Sequence, residues 1–507
     1  MRIEEFINYL GFTKGNPFQY TNADQEYSSI SDYFISPDYF EDLWGDPKLP
    51  ISNIILAPRG TGKTAQRIMI EKRAMQENVL AITYTSHDLS AFNNLDKVDI
   101  NYHFELLNRL ILIGLYTKIF ELSKEKFETN FTFEERQFLF MLAKLYLYKT
   151  PSSFPTQAIS SLKTIPDRAL DVWKSFSEPV SKIIQNITKS QGFEVDISKI
   201  KVDDYNYKMS HKDNLKNLID LSKKLNFTSI YILVDKVDEQ DKTGNDPSQS
   251  FKLISPLLKD LEVLEMKGLA FKFFLWDALS NDISKYSRPD RVPVYELEWS
   301  TDELKKLLNK RVQYFSENKI ENISTIFETE EDFNMVLTFG ERSPRDCIRI
   351  LSRAITEQNK LNDKVKYISK EALHEGIEHF IKQKTSELIP NPNSITHLKK
   401  VGSVTFTIEG LVSKKVGSGA SAVRNIINPW TKFNLAKKIG IESKSKVSRS
   451  VNLYSYIDSR IARTANPQIN IEDFYKQKVK HCSSCSFTYY RDFEIKKWEC
   501  PNCDSLN

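Results

Sequence analysis

The sequence predicts an α/β protein built on a parallel sheet, and three stretches of the chain carry that prediction. Residues 54–65, IILAPRGTGKTA, run from an apolar strand through a glycine-rich turn into a helix. Residues 229–239, SIYILVDKVDE, give another apolar strand, ending on Asp235. Residues 482–503 hold two Cys-x-x-Cys pairs, 14 residues apart. Runs so rich in Ile, Leu and Val suit strands covered on both faces, as parallel strands are. The cysteines imply a small metal-held module at the C-terminal end.

The glycine turn reads as a cradle for nucleotide phosphates. Gly60, Thr61 and Gly62 can aim successive backbone N–H groups inward, because glycine tolerates the required angles. A helix beginning near Lys63 adds its positive N-terminal end. Lys63 is placed to reach the β- and γ-phosphates, and the Thr64 hydroxyl to sit on Mg²⁺. The spacing follows G-x-x-x-x-G-K-[ST] except that Ala57 occupies the first glycine position. The strand ending at Asp235 supplies the acid that holds Mg²⁺ through water. Asp238 and Glu239 follow it, and either can polarise an attacking water. ATP and Mg²⁺ are the ligands these residues imply.

The two motifs resemble those of the P-loop ATPases of the AAA+/STAND group, and most of all bacterial ATPases similar to origin-recognition initiators. Asn16-Pro17-Phe18, Ala23-Asp24 and Tyr33-Phe34-Ile35 look like the lead-in segment of that family. The resemblance covers residues 16–385 and implies a P-loop NTPase core with a helical lid. It departs at Lys236, where AAA+ proteins usually carry the water-activating glutamate. The Asp235-x-x-Asp238-Glu239 spacing is more similar to the NACHT branch of STAND proteins. That makes Asp238 the first candidate for the base and Glu239 the second.

Two further segments fit the same family. GLAFKFFLWD at 268–277 looks like the next core strand. Asp277 at its end is then either a polar sensor or a plain strand-end acid. GERSPRDCIR at 340–349 resembles the start of the lid helix that carries a second sensor. Pro344 would open that helix, and Arg345 would reach the γ-phosphate or else form a surface salt bridge; a guanidinium suits the first task better than an ammonium. Arg288, Arg291 and Arg311 are candidates for an arginine finger given to a neighbouring subunit, and the sequence does not choose among them.

Length and composition frame this core. A chain of 507 residues implies roughly three or four domains. With 40% hydrophobic and 27% charged residues, the balance is that of an ordinary globular protein. MRIEEFINYL has acids where a secretion signal wants bases. The run LLNRLILIGLY at 106–116 is too short, and interrupted by Asn108 and Arg109, to span a bilayer. A cytoplasmic protein without membrane contact is the expectation. The charge is uneven: residues 391–507 carry 19 Lys and Arg against 9 Asp and Glu, a net of +10, so the rest carries −6 of the total +4. A basic module on a mildly acidic one is the footprint of a DNA contact or of a solvated lysine-rich surface.

Cys482, Cys485, Cys500 and Cys503 have the spacing that brings four thiolates around one Zn²⁺. The β-forming stretch between the pairs is expected to supply a hairpin, giving a zinc ribbon. Metal would provide most of the stability of so small a module. Cys347 falls on the lid helix, as core. Residues 432–452, KFNLAKKIGIESKSKVSRSVN, resemble a bacterial helix-turn-helix. Leu435, Ala436 and Ile439 would form the stripe of a first helix, Gly440 the turn, and Val447, Ser448 and Arg449 part of the recognition helix. Ser443, Lys444, Ser445, Lys446 and Arg449 would face phosphates and base edges. The spacing is one residue long for that motif, which fits a winged variant or a helical extension of the lid.

Between VLAITYTS at 79–86 and Ile230 only helical periodicity occurs, which reads as an all-α insertion at about 100–225. The resulting layout is an ATPase core over 1–300, a helical lid over 301–386, a basic winged-helix-like domain over 395–475 and a zinc ribbon over 480–507, with ELIPNPNS at 387–394 as the linker. Two functions follow, beside a third reading, motivated by Lys236, in which the chain binds nucleotide and barely hydrolyses it. One is an ATP-driven switch that sits on DNA through its C-terminal modules. The other is a STAND-like signalling ATPase, as in bacterial antiphage defence, whose insertion and C-terminus bind an effector protein or further copies of the chain.

Overall fold

The computed structural model describes residues 2–85, 87–90, 92–147, 209–442, 451–485, 487–492 and 499–505. The chain divides into two compact units, Ser36–Glu298 and the combination of Met1–Ile35 with Trp299–Asn507.

Ser36–Glu298 is built on five parallel strands: β1 Asn53–Ala57, β2 Val79–Tyr84, β3 Ser229–Val234, β4 Leu269–Trp276 and β5 Val294–Glu296. Their order across the sheet is β2-β3-β4-β1-β5. Every residue of β1, β2 and β3 is buried, as apolar runs without alternation require. The register sets Ala57 beside Trp276, and Val234 beside both Tyr84 and Phe273. The carboxyl ends of β3, β4 and β1 therefore lie side by side, the edge at which parallel sheets carry their ligands.

Between β2 and β3 run the helices Ile100–Phe120, Lys124–Asn130, Phe133–Leu147 and His211–Lys223. The first packs against both β2 and His211–Lys223. Asp99 caps its start, accepting from the Tyr102 N–H at 3.0 Å. Residues 148–208 of the expected insertion lie outside the described residues. No described helix is long and apolar enough to cross a membrane.

In the other unit, helices Thr301–Phe315, Glu330–Phe339, Pro344–Leu361 and Lys370–Leu388 pack together. Ser343 caps the third of these and Pro344 opens it. The third and fourth approach so closely that a Cβ on Gly376 would stand 2.8 Å from the Ala354 nitrogen. Residues 1–35 join this unit because Arg311 is buried against them. Its guanidinium donates to Glu26 at 2.9 Å and to the Pro17 carbonyl, and it lies over the Tyr33 ring at 4.9 Å. Arg311 is 3% exposed, which removes it from the arginine-finger candidates; Arg288 pairs with Asp290 and Arg291 with Glu265, and both stay largely exposed.

Beyond the break at residues 389–391 come helix Pro392–Val401, β6 Thr405–Thr407, helices Ile408–Ser413 and Ala420–Lys432, β7 Ala436–Glu442 and β8 Val451–Tyr456. The three strands form an antiparallel sheet in the order β6-β8-β7. The helix expected around Leu435, Ala436 and Ile439 is thus the strand β7. A β-bulge explains the misreading. Lys438 pairs with Tyr454 and Gly440 with Leu453, so Ile439 is the extra residue. The bulge turns Ala436 and Ile439 inward at a spacing of three, which imitates helical period. The expected recognition residues Val447, Ser448 and Arg449, with Ser443, Lys444, Ser445 and Lys446, lie outside the described residues.

Buried charges fasten the third helix to this C-terminal part. Arg460 Nη1 donates to Asp346 Oδ2 at 3.0 Å, and Nη2 to Asp458 Oδ2 at 2.6 Å. Glu341 accepts from the Tyr490 hydroxyl at 2.9 Å and from the Ser459 N–H.

One buried cation sits inside the sheet. Lys272 on β4 donates to the Ile51 carbonyl at 2.7 Å and to Asn53 Oδ1 at 2.5 Å, and burial pulls its ammonium down to about 7. From there up to the ordinary value of 10.5 the unfolded chain holds a proton that the folded chain releases. The Lys272 contribution to stability therefore rises with pH across that window and is level below it. Urea unfolding at pH 7 and pH 9.5 is expected to show this rise, and Lys272→Met to flatten it.

Candidate functional site

β1 ends at Ala57, and the chain turns through Pro58, Arg59, Gly60, Thr61 and Gly62 into helix Lys63–Gln76. Gly60 and Gly62 take φ of 85° and 106°, a left-handed region that strains any side-chain-bearing residue. Thr61 Oγ1 donates to the Pro58 carbonyl at 2.8 Å and closes the turn. Gly62 sits at the N-cap without a side-chain cap. Lys63 Nζ lies on the same turn, donating to the Ala57 and Pro58 carbonyls at 2.7 and 2.9 Å.

Asp235 follows β3 and is 2% exposed. Its Oδ2 accepts from Thr64 Oγ1 and from Arg67 Nε, each at 3.0 Å, while Oδ1 accepts from the Lys236 N–H at 2.9 Å. Arg67 also donates to Glu71, which takes the Thr83 hydroxyl as well. All of Arg67, Glu71 and Thr83 are buried. Sequence reading missed this trio. The i,i+4 spacing of Arg67 and Glu71 looks like a surface pair, and only the sheet behind them shows otherwise.

Lys236 takes a left-handed turn, φ 56°, and starts the 3₁₀ turn Val237–Glu239. That reversal sends the two candidate bases apart. Asp238 is buried to 8% exposure and accepts from Arg59 of the glycine turn, Nε at 2.7 Å and Nη2 at 2.6 Å. Glu239 is exposed. Arg59 also lies over the Trp276 ring at 4.1 Å. Asp277, next along, stays open to solvent; partial desolvation raises its carboxyl above the usual range, and the Lys63 ammonium opposes that shift. Arg345, the second residue of helix Pro344–Leu361, belongs to the other unit, where it forms no ion pair among the described residues.

The rim of three neighbouring strand ends therefore gathers a helix N-terminus, an ammonium, a hydroxyl–carboxylate pair and a guanidinium–carboxylate pair. Such a set suits a polyanion with a hard divalent cation, which takes oxygen ligands like Thr64 and Asp235.

A second site lies at the C-terminal end. The Sγ atoms of Cys482 and Cys503 are 3.8 Å apart, those of Cys485 and Cys500 are 3.6 Å apart, and all four fall within 4.8 Å. Metal–sulfur bonds of about 2.3 Å in a tetrahedron set sulfurs roughly 3.8 Å apart. The backbone N–H groups of Ser484 and Asn502 each reach a cysteine sulfur at 3.4 Å. None of the four is in a disulfide, so the cluster can hold a metal ion. β10 Thr488–Tyr490, from the stretch between the two pairs, is paired with β9 Val479–His481, so the first Cys-x-x-Cys forms the turn of that hairpin. Residues 493–498 lie outside the described residues. Cys347 is buried against the Val336 carbonyl, and burial pushes its thiol far up.

No known protein family and no curated protein matches the sequence. Two solved structures resemble the fold weakly, each at 10% identity. One is the ORC1 protein of Aeropyrum pernix in complex with DNA, with a TM-score of 0.38 over 87% of this chain and 94% of that one. The other is Drosophila ORC bound to DNA, with a TM-score of 0.28 over 92% of each chain.

The cysteine geometry gives a direct expectation. Cobalt(II) added to metal-stripped full-length protein should bind one equivalent with the intense sulfur-to-metal absorption of a four-thiolate site. Cys485→Ser should weaken that absorption and the binding, whereas Cys347→Ser should leave both unchanged.

Proposed function

We propose that this chain is an ATP-binding and ATP-hydrolysing switch whose nucleotide state governs contact with DNA through its basic C-terminal modules. The observation that carries the reading is the 3.0 Å contact between Thr64 and Asp235 beside the glycine turn. A hydroxyl that opens a helix and a buried strand-end carboxylate are the two groups a P-loop NTPase brings to magnesium.

In this reading Gly60, Thr61, Gly62 and Lys63 bind the phosphates through backbone N–H groups, with Ala57 ending the strand beneath them. Lys63 exchanges its loop carbonyls for phosphate oxygens. Thr64 and Asp235 hold Mg²⁺, which supplies charge neutralisation on the phosphates when bound. Asp238 accepts the proton of the attacking water, Glu239 being turned to solvent. Cys482, Cys485, Cys500 and Cys503 hold structural Zn²⁺.

The DNA contact is assigned to the winged-helix arrangement over 392–456. The order helix, strand, two helices and a strand pair, with sheet order β6-β8-β7, supports that assignment. Helix Ala420–Lys432, with Arg424 on it, is then the reading helix. A STAND-like signalling ATPase acting on a protein partner is the second reading. The placement of Asp238, rather than residue 236, on the glycine turn favours it.

Salt separates the two. Retention of the full-length, zinc-loaded protein on double-stranded DNA should fall steeply between 50 and 200 mM salt, because phosphate contacts release counterions. Arg424→Glu should weaken it about ten-fold or more, and retention should differ between ATP and ADP. Absence of retention at 50 mM salt would set aside the DNA reading and leave the protein-directed switch.

A further inference from the structure

We infer that Arg59 reads the terminal phosphate of the bound nucleotide, with Asp238 competing for the same guanidinium. The inference rests on the nucleotide-binding reading above and adds a residue to which nothing in the phosphate-loop pattern assigns a role.

Arg59 stands inside the glycine turn, two residues after the end of β1. Its guanidinium is held on two sides by groups from the neighbouring strand ends. Asp238, after β3, takes Nε and Nη2 at 2.7 and 2.6 Å. The Trp276 ring, ending β4, lies 4.1 Å from the guanidinium carbon. A guanidinium stacked on an indole keeps its plane, so its donors sweep an arc within that plane with little loss of order. The side chain is 36% exposed, whereas its carboxylate partner is 11% exposed. The cation is thus the accessible member of the pair.

The forked donors that fit a carboxylate fit phosphate oxygens equally well. Asp238 has one described cation, Arg59, and Arg59 has one described anion, Asp238. A terminal phosphate in the cradle therefore competes with Asp238 for one guanidinium. When the phosphate wins, the Asp238 carboxylate is released to accept a proton from water. A diphosphate places no group there, so Arg59 stays with Asp238 and the carboxylate stays occupied. Distinction between ATP and ADP and arming of the base become one event. Trp276 keeps the guanidinium aligned in both arrangements.

The test is a double-mutant cycle on binding, so that slow turnover does not blur it. Calorimetry with Mg²⁺ gives affinities for a slowly hydrolysed ATP analogue and for ADP. The proteins are full-length wild type, Arg59→Ala, Asp238→Asn and the double variant. Arg59→Ala should weaken the analogue about ten-fold or more, the loss of a charge-assisted hydrogen bond, and leave ADP within about two-fold. Arg59→Lys, which keeps the charge and loses the fork, should fall between. Asp238→Asn should tighten the analogue several-fold, and that gain should vanish when Arg59 is Ala.

A gain that persists in the double variant would mean simple charge repulsion by Asp238 and would overturn the inference. Equal weakening of both nucleotides by Arg59→Ala would overturn it too, leaving the nucleotide-binding reading intact. Wild-type protein that binds neither nucleotide would overturn that reading and the inference with it.

Discussion

A buried carboxylate is the constraint on which the candidate site depends. Asp235 is 2% exposed, and an ionised carboxylate is tolerated there only because Arg67, Thr64 and a backbone N–H surround it. The same contacts tie the end of β3 to the first turns of helix Lys63–Gln76. Removing one member of such a buried pair generally costs roughly 3–5 kcal/mol, since the other charge is left without a partner. Arg67 is thus a structural counter-ion that keeps Asp235 beside Thr64. The position of the hydroxyl–carboxylate pair follows from the sheet rather than from any loop of its own.

The unit of Met1–Ile35 with Trp299–Asn507 has a comparable buried arrangement, in which Arg460 sits between Asp346 and Asp458 while Glu341 takes Tyr490 and Ser459. Asp346 is one residue from Arg345, on the first turn of the same helix. These contacts join that helix end to the strand bearing Tyr490 and to the helix beginning at Ser459.

The parts legible in the sequence were those whose chemistry is local. Glycines at positive φ, a lysine and a threonine opening a helix, an acid ending an apolar strand and two Cys-x-x-Cys pairs each declare themselves over a few residues. The parts that were not legible depend on distant partners. Arg59 and Trp276 are more than two hundred residues apart, and Arg67 reads as an ordinary helix-surface arginine until β2 and β3 close over it. The strand β7 was read as a helix because one bulge at Ile439 changed a period of two into a spacing of three. Residues 1–35 gave no sign that a buried Arg311 draws them to Trp299–Asn507.

Steady-state phosphate release tests most directly whether the ends of β1, β3 and β4 form one magnesium–nucleotide site. The zinc-loaded protein should hydrolyse ATP only with Mg²⁺. Lys63→Ala and Asp235→Asn should each lower the rate at least about a hundred-fold, the scale of losing an electrostatic stabiliser of the transition state. Hydrolysis that survives both substitutions would contradict the account, because the activity would then reside elsewhere.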